Sequence, residues 1–336
     1  MYHDNADPID LGFLILPEFP MACLTSAIEP LRAANEISGQ EVFRWKIIAE
    51  SGQSVTCSAG VTFTPDRTLE EADDGDYLFL LSSPTGEFEN RKAADARLRY
   101  LLSHGTVVGG FSGGIFPLAR AGVMNGHRCS VHWCYDGAFR HEFPDVLAES
   151  SVISIDGRRM TASGSSAVFD LMLMLIEKRL GMEIANEVGC WFQHHFSRDE
   201  DFAQRIPATR TTATHEILPE PVRSAVRLFR ENMEEPLGIC EVARRLGVSI
   251  RHLERMFVKH TGLGPHRYYR LERLKLARQM IRYTDTPLPR ISNAIGYART
   301  ASLKRHYRRE FGISPGAERR HRTGLTPEDA GALPMA

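Results

Sequence analysis

The sequence predicts two domains of different class, an α/β front domain on a parallel sheet and an all-α back domain with two helix-turn-helix units. Three observations carry this. Short apolar, β-branched runs alternate with helical patterns over the first half, as a parallel sheet covered on both faces requires. A helical pattern recurs in the last third, with closing glycines Gly262 and Gly312 fifty residues apart. Charge divides along the same line. Residues 221–323 hold 23 Lys+Arg against 9 Asp+Glu, whereas residues 1–220 hold 18 against 31. An acidic body joined to a basic third points to a polyanion that meets the third alone.

The elements follow in order. "IDLGFLIL" (9–16) reads as a buried strand, followed by a helix through "MACLTSAIEPLRAANEIS". "FRWKIIAES", "DYLFLLSS" and "TVVGGFS" are further buried strands. Between the last two, "NRKAADARLRYLLSHG" is an amphipathic helix with Gly105 as its expected C-cap. After "SVISIDGRRMTASG" come helices over about 165–180 and 184–196. "VFDLMLMLI" (168–176) is too short for a membrane span and is interrupted by Asp170, so it reads as a core helix. Residues 197–220 lose periodicity and gain Thr, Pro and charge, the composition of a linker. The front domain is therefore placed at 1–196, the back domain at 221–323 and a disordered tail at 324–336.

Six scattered cysteines without a C-x-x-C pair read as reduced thiols, and neither a metal site nor a cofactor is expected. The start "MYHDNADPID" lacks a basic region followed by an apolar run, so a cytoplasmic protein without a membrane partner is expected.

In the back domain each repeat is a short helix, a glycine-led turn and a second helix. On the first repeat's second helix, Ile250, Leu253 and Phe257 share one stripe, with Arg251, His252, Arg255 and Lys259 opposite and Ser249 at the N-cap. On the second repeat, Leu303, Tyr307 and Phe311 form the stripe. Thr300, Ala301, Ser302, Lys304, Arg305 and Arg309 make up its outward and flanking face, with Arg308 beside them. A helix of this width fits the major groove, where arginine reaches guanine O6 and N7 and other cations neutralise phosphates. A lone amphipathic helix of this kind would read as a solvated face; two in tandem favour DNA.

"CEVARRLGVSIRHLERMFVKHTGLGPHRYYRLERLKLARQMI" and "ISNAIGYARTASLKRHYRREFGISP" resemble the AraC/XylS-type DNA-binding domain along their whole length. The resemblance implies a rigid pair of helix-turn-helix units that places two recognition helices in successive major-groove segments. Leu303 and Tyr307 stand where phenylalanines are usual in that family, a change expected to keep the core apolar.

In the front domain "SAIEPLRAAN", "GGFSGGIFPLARAGVMNGHRCSVHW" and "TASGSSAVFDLMLMLIEKRLG" resemble the DJ-1/PfpI, or class I glutamine amidotransferase-like, module. The resemblance implies a flavodoxin-like α/β fold. Gly110-Phe111-Ser112-Gly113-Gly114 fits G-x-S-x-G, and Ser112 takes the place of the relatives' nucleophilic cysteine, with His132 at the place of their histidine. A serine hydroxyl needs a base oriented by a third group, for which Asp136 and Glu142 qualify only by nearness in sequence. A retained ligand pocket is the preferred reading. Backbone N–H groups of Gly113, Gly114 and Ile115 would hold an anion, while Phe19, Phe111 and Trp133 would offer aromatic faces to a cation.

Together these features predict a cytoplasmic, dimeric transcription regulator, most simply an activator working with RNA polymerase on double-stranded DNA. Its effector would be a small zwitterion or amine, as the resemblance implies for glycine betaine, carnitine or arginine. The rival readings are a DJ-1-like hydrolase or amidase tethered to DNA, and a constitutive DNA-binding dimer. The adjacent pair His194-His195 is read as a helix surface or dimer contact, since neighbours on a helix face different ways.

Overall fold

The computed structural model describes residues 7–72, 75–194, 204 and 218–320. It divides into two compact units, residues 1–204 and 205–336. Most of the expected linker, the tail 324–336 and His195 lie outside the described residues.

The front unit runs β1 (Ile9–Ile15), α1 (Met21–Ser38), β2 (Phe43–Ala49), β3 (Val55–Thr56), β4 (Thr62–Phe63), β5 (Arg67–Thr68) and β6 (Tyr77–Ser82). It continues α2 (Arg91–Ser103), β7 (Val107–Ser112), α3 (Ile115–Arg120), β8 (Arg128–Ser130), α4 (Asp136–Glu142) and β9 (Leu147–Glu149). It closes with β10 (Ile153–Asp156), β11 (Arg159–Ala162), α5 (Ser165–Leu180) and α6 (Met182–Trp191). Seven strands form the main sheet in the order β10-β11-β7-β6-β1-β2-β5. All pairs are parallel except β10 with β11, so the sheet is mixed rather than purely parallel. This is the flavodoxin-like fold the resemblance implied. The antiparallel edge comes from the short Asp156–Arg159 turn, where Gly157 takes φ +60°.

The central strands are mostly apolar because both faces are covered, with polar residues at their ends. Phe13, Phe79 and Phe111 are fully buried and stack across β1, β6 and β7, with Phe79 and Phe111 centroids 4.6 Å apart. Burying each such ring stabilises the fold by roughly 1.5–3 kcal/mol. The run 168–176 is the core helix the composition suggested: Val168, Leu171, Met172 and Ile176 are fully buried. Asp170 is buried too and accepts a 2.7 Å hydrogen bond from His194 Nε2. His194 is thus no helix-surface residue. The helix expected to reach 196 stops at Trp191, Gln193 takes φ +54°, and the chain folds His194 back onto α5. Gly105, at φ +112°, stands one residue past the C-cap of α2, which is His104.

The back unit is α7 (Glu220–Glu231), α8 (Ile239–Arg245), α9 (Ile250–Thr261), α10 (Pro265–Tyr283), α11 (Leu288–Ala294), α12 (Thr300–Phe311) and α13 (Pro315–Arg320). Helices α8–α9 and α11–α12 are the two helix-turn-helix units, joined by α10. The repeat is close in three dimensions. Over residues 251–260 and 301–310 the order of buried, half-buried and exposed positions is identical. Both second helices end on a left-handed glycine, Gly262 at φ +70° and Gly312 at φ +74°.

The apolar stripe of α9 is shorter than expected. Leu253 and Phe257 are fully buried but Ile250 is 41% exposed. It is the first residue of α9, one turn before the helix reaches the core, and Thr300 occupies the same place on α12. On α12 Leu303 and Tyr307 are fully buried, whereas Phe311 is only partly covered, edge-on to Tyr307 and beneath Arg278.

Two contacts lock the repeats together. Arg273 of α10 donates to the carbonyls of Ile295 and Gly296 at 3.3 and 3.2 Å, its guanidinium near the rings of Tyr269 and Tyr297. Gly296, at φ +68° in the second turn, presses on Pro236, and an added Cβ would also come within 2.7 Å of the Met233 carbonyl. Only glycine fits there. Gly296→Ala is expected to destabilise the back unit by about 1–3 kcal/mol, as overpacking does; an unchanged melting temperature would show that the repeats are not held by this contact.

Candidate effector site and nucleic-acid interface

The front site is built at the carboxyl ends of the central strands, where open α/β sheets place their ligands. Strand β7 ends at Ser112, opposite Ser82 of β6, with Ser112 at φ +53°. A non-glycine residue held there is strained, the sharp strand-to-helix bend of a nucleophile elbow. The glycines behind it serve close approach. A Cβ on Gly113 would collide with the Ser82 carbonyl, and one on Gly114 with the Leu80 carbonyl. Arg120 holds the adjoining loop by donating to the Pro84 and Gly86 carbonyls, each at 2.9 Å.

Ser112 Oγ lies 2.8 Å from the Tyr135 hydroxyl. His132 lies beside them, its ring 5.5 Å from those of both Trp133 and Tyr135. Its Nδ1 accepts the Cys134 amide at 3.3 Å and faces Cys134 Sγ at 2.9 Å. An Nδ1 that accepts a backbone N–H carries no proton, which puts the proton of the neutral ring on Nε2. Burial pushes the His132 imidazole down to about 4 and the Cys134 thiol up to about 12, so both are neutral near pH 7. A serine nucleophile needs the opposite arrangement, Nε2 free to accept and Nδ1–H held by a carboxylate. Asp136 pairs with Arg140 at 2.9 Å and Glu142 with Arg120 at 3.5 Å, so each expected third group is engaged elsewhere.

The sequence-predicted pocket residues therefore separate. Ser112, His132 and Trp133 come together. Phe19 and Phe111 are fully buried core residues, Phe19 edge-on to Phe63 and Phe111 on Phe79, so neither offers a free face. Gly113, Gly114 and Ile115 are buried, and the Gly114 amide already donates to the Phe111 carbonyl at 2.9 Å. Helix α3, only six residues long, is no anion cradle. Tyr135 was missed. Its one signal was an aromatic three residues beyond His132 in "HWCYD", and only the fold brings it to Ser112.

In the back unit the outward faces carry cations. Ser249 caps α9, accepting the His252 amide at 3.2 Å. Arg251, Arg255 and Lys259 are exposed and His252 is half-buried, with Arg255 reaching its Nδ1 at 3.2 Å. On α12, Ala301, Lys304, Arg305, Arg308 and Arg309 are exposed, and Thr300 and Ser302 are half-buried. A groove of about 890 Å³ runs along this face, lined by Lys304, Arg305, Arg308, Arg309 and Ser314. Sequence reasoning had put Arg308 only on the flank and had not reached Ser314.

Several cations elsewhere in the unit are neutralised. Arg244 and Arg245 pair with Glu241, Arg230 and Lys275 with Glu272, and Arg278 and Arg282 with Glu318. Among the described residues no ion pair engages Arg251, Arg255, Lys259, Lys304, Arg305, Arg308 or Arg309. Their positive field faces outward from both repeats, as phosphate binding requires.

Comparison with known proteins agrees with both halves. Residues 242–321 match a helix-turn-helix domain and residues 20–178 the DJ-1/PfpI family. The HTH-type transcriptional regulator GbdR of Pseudomonas aeruginosa is 35% identical over 321 residues, covering 94% of this chain and 85% of that protein. The chain belongs to the AraC-type transcriptional regulators that carry a DJ-1/PfpI domain. CdhR, another HTH-type transcriptional regulator of P. aeruginosa, is 34% identical over 315 residues, 92% of this chain and 91% of its own. An AraC family transcriptional regulator from Pseudomonas putida superposes with a TM-score of 0.50 at 24% identity, over 55% of this chain and all of that one, and shows the fold.

For an AraC-type regulator the unpaired cations of α9 and α12 stand on the second helix of each helix-turn-helix, the one such units present to DNA. Among the described residues no group of three His, Cys, Asp or Glu could hold a metal ion. No described helix is long and apolar enough to cross a membrane.

Proposed function

We propose that this regulator responds to a small zwitterion or amine at the Ser112–His132–Trp133–Tyr135 cluster and activates genes for uptake or breakdown of that compound. The observation that carries the reading is the pairing of Ser112 with Tyr135 beside a neutral His132. With Tyr135 donating to Ser112, the Ser112 hydroxyl and the His132 Nε2–H are donors suited to a carboxylate, and the half-buried Trp133 ring suits an ammonium group. Glycine betaine, carnitine and arginine are of this class. The protein acts as a homodimer on double-stranded DNA and works with RNA polymerase. Ser249, Arg251, His252, Arg255 and Lys259 on α9, and Thr300, Ala301, Ser302, Lys304, Arg305 and Arg309 on α12, form its DNA surface.

The strained elbow at Ser112 favours a second reading, a hydrolase tethered to DNA. One pair of variants separates the two. Ser112→Ala should leave effector-dependent transcription within a few-fold of the parent, while Ser112→Trp should block the site and abolish the response in a folded protein. A purified parent that turns over esters or amides, and loses turnover in Ser112→Ala, would establish the hydrolase instead.

A further inference from the structure

Strands β8 and β9 pair for only three residues, Arg128 with Leu147 through Ser130 with Glu149. Beyond them the chains diverge, and the backbone groups of residues 131–133 and 150–151 need other partners. Gln204 supplies them. Its Oε1 accepts the Trp133 amide at 2.9 Å, and its Nε2 donates to the Val131 carbonyl at 2.7 Å and the Ser151 carbonyl at 3.1 Å. Its own amide donates to the Ser150 carbonyl at 2.8 Å. Both side-chain N–H donors are used, and the residue is buried. His132 is thereby bracketed on both sides by one side chain.

Gln204 belongs neither to the sheet nor to a helix of the front unit. It lies in the connection between α6, which ends at Trp191, and α7, which begins at Glu220 on the DNA-binding unit. We propose that Gln204 is a positioning residue of the effector site, contributed by the connection, which ties the setting of His132 and Trp133 to the chain leading toward the DNA-binding unit. The inference rests on the effector reading above. A ligand that moves Trp133 must strain or release the Gln204 bonds, and a shift in the connection must in turn reset the site, since coupling between two sites is reciprocal.

The test uses the full chain as wild type, Gln204→Ala and Gln204→Glu. The glutamate keeps the shape but, ionised, loses both donors and sets a carboxylate against two carbonyls. Hydrogen exchange at the Trp133 amide is measured, together with reporter transcription with and without glycine betaine, carnitine or arginine. In Gln204→Ala, which removes the acceptor of the Trp133 amide, exchange there should rise at least tenfold, whereas the glutamate keeps that acceptor and loses only the two donors. In both variants induction by a probe to which the wild type responds should collapse to within twofold of none, and uninduced transcription should shift at least threefold. Wild-type induction and wild-type uninduced transcription in a variant whose Trp133 amide exchanges fast would overturn the coupling, and unchanged exchange in Gln204→Ala would overturn the joint itself. If the wild type answers none of the three probes, the proposed effector class fails separately. The coupling is then decided by uninduced transcription, a threefold shift supporting it and a wild-type level refuting it.

Discussion

Glu318→Ala is expected to lower the stability of the DNA-binding unit by about 3–5 kcal/mol, the loss typical of breaking a buried ion pair from one side. Glu318 is 4% exposed and accepts from Arg278 Nε and Arg282 Nε, each at 2.6 Å, and from the Tyr307 hydroxyl. It ties α13 to both α10 and α12. Without the carboxylate two guanidiniums, only 11% and 22% exposed, face each other with no counter-charge. For a unit of about 100 residues each kcal/mol shifts the midpoint by about 4–8 °C, so the corresponding transition should fall by more than about 10 °C. Tyr307→Phe removes one donor and leaves the ion pairs, so its effect should be near 1 kcal/mol. Thermal melts of the full chain decide this. A Glu318→Ala protein that melts with the wild type would show that the apolar stripe alone holds α13.

Arg255→Ala and Arg305→Ala should each weaken binding to a selected operator duplex by about 1–3 kcal/mol and relax the base preference at one position. The two residues lie on separate helices, α9 and α12, so the double variant should lose about the sum. Arg251→Ala or Arg309→Ala, if these residues contact phosphate, should weaken binding to all sequences alike and flatten the salt dependence. For the parent, six to ten phosphate contacts imply an affinity loss of about 10³–10⁵ between 50 and 200 mM salt. Footprinting and anisotropy titrations at two salt concentrations measure both effects. Parental binding by the double variant would remove α9 and α12 from the interface.

The exposed basic faces of α9 and α12 were legible because their information is local. Arg251, Arg255 and Lys259 lie opposite Leu253 and Phe257 by helical period alone, and the fifty-residue repeat places Lys304, Arg305 and Arg309 in the same way. The error at Ile250 came from the same rule. Periodicity gives the direction of a side chain but not how far along its helix the neighbouring core extends. Tyr307 shows another limit. Beside the family's phenylalanine it reads as an apolar equivalent, whereas its hydroxyl donates to a carboxylate eleven residues away.

From the sequence alone came strands β1, β2, β6 and β7 with helices α1, α2 and α5, the division into two units, the division of charge and the serine at an elbow. All are carried by composition, by periods of two and 3.6 residues, and by a short glycine pattern. The tertiary structure alone decided which groups face each other across distance in the chain. Ser112 meets Tyr135 23 residues on, Asp170 meets His194, and Gln204 reaches back 71 residues to Trp133. These partners were not legible because a buried hydrogen bond depends on where packed elements end and turn, which is set by the sum of core contacts and not by any local pattern. The same fact decided the chemistry of the front site. Whether His132 serves as a base or as a neutral donor depends on what its Nδ1 faces, and that is Cys134, not a carboxylate.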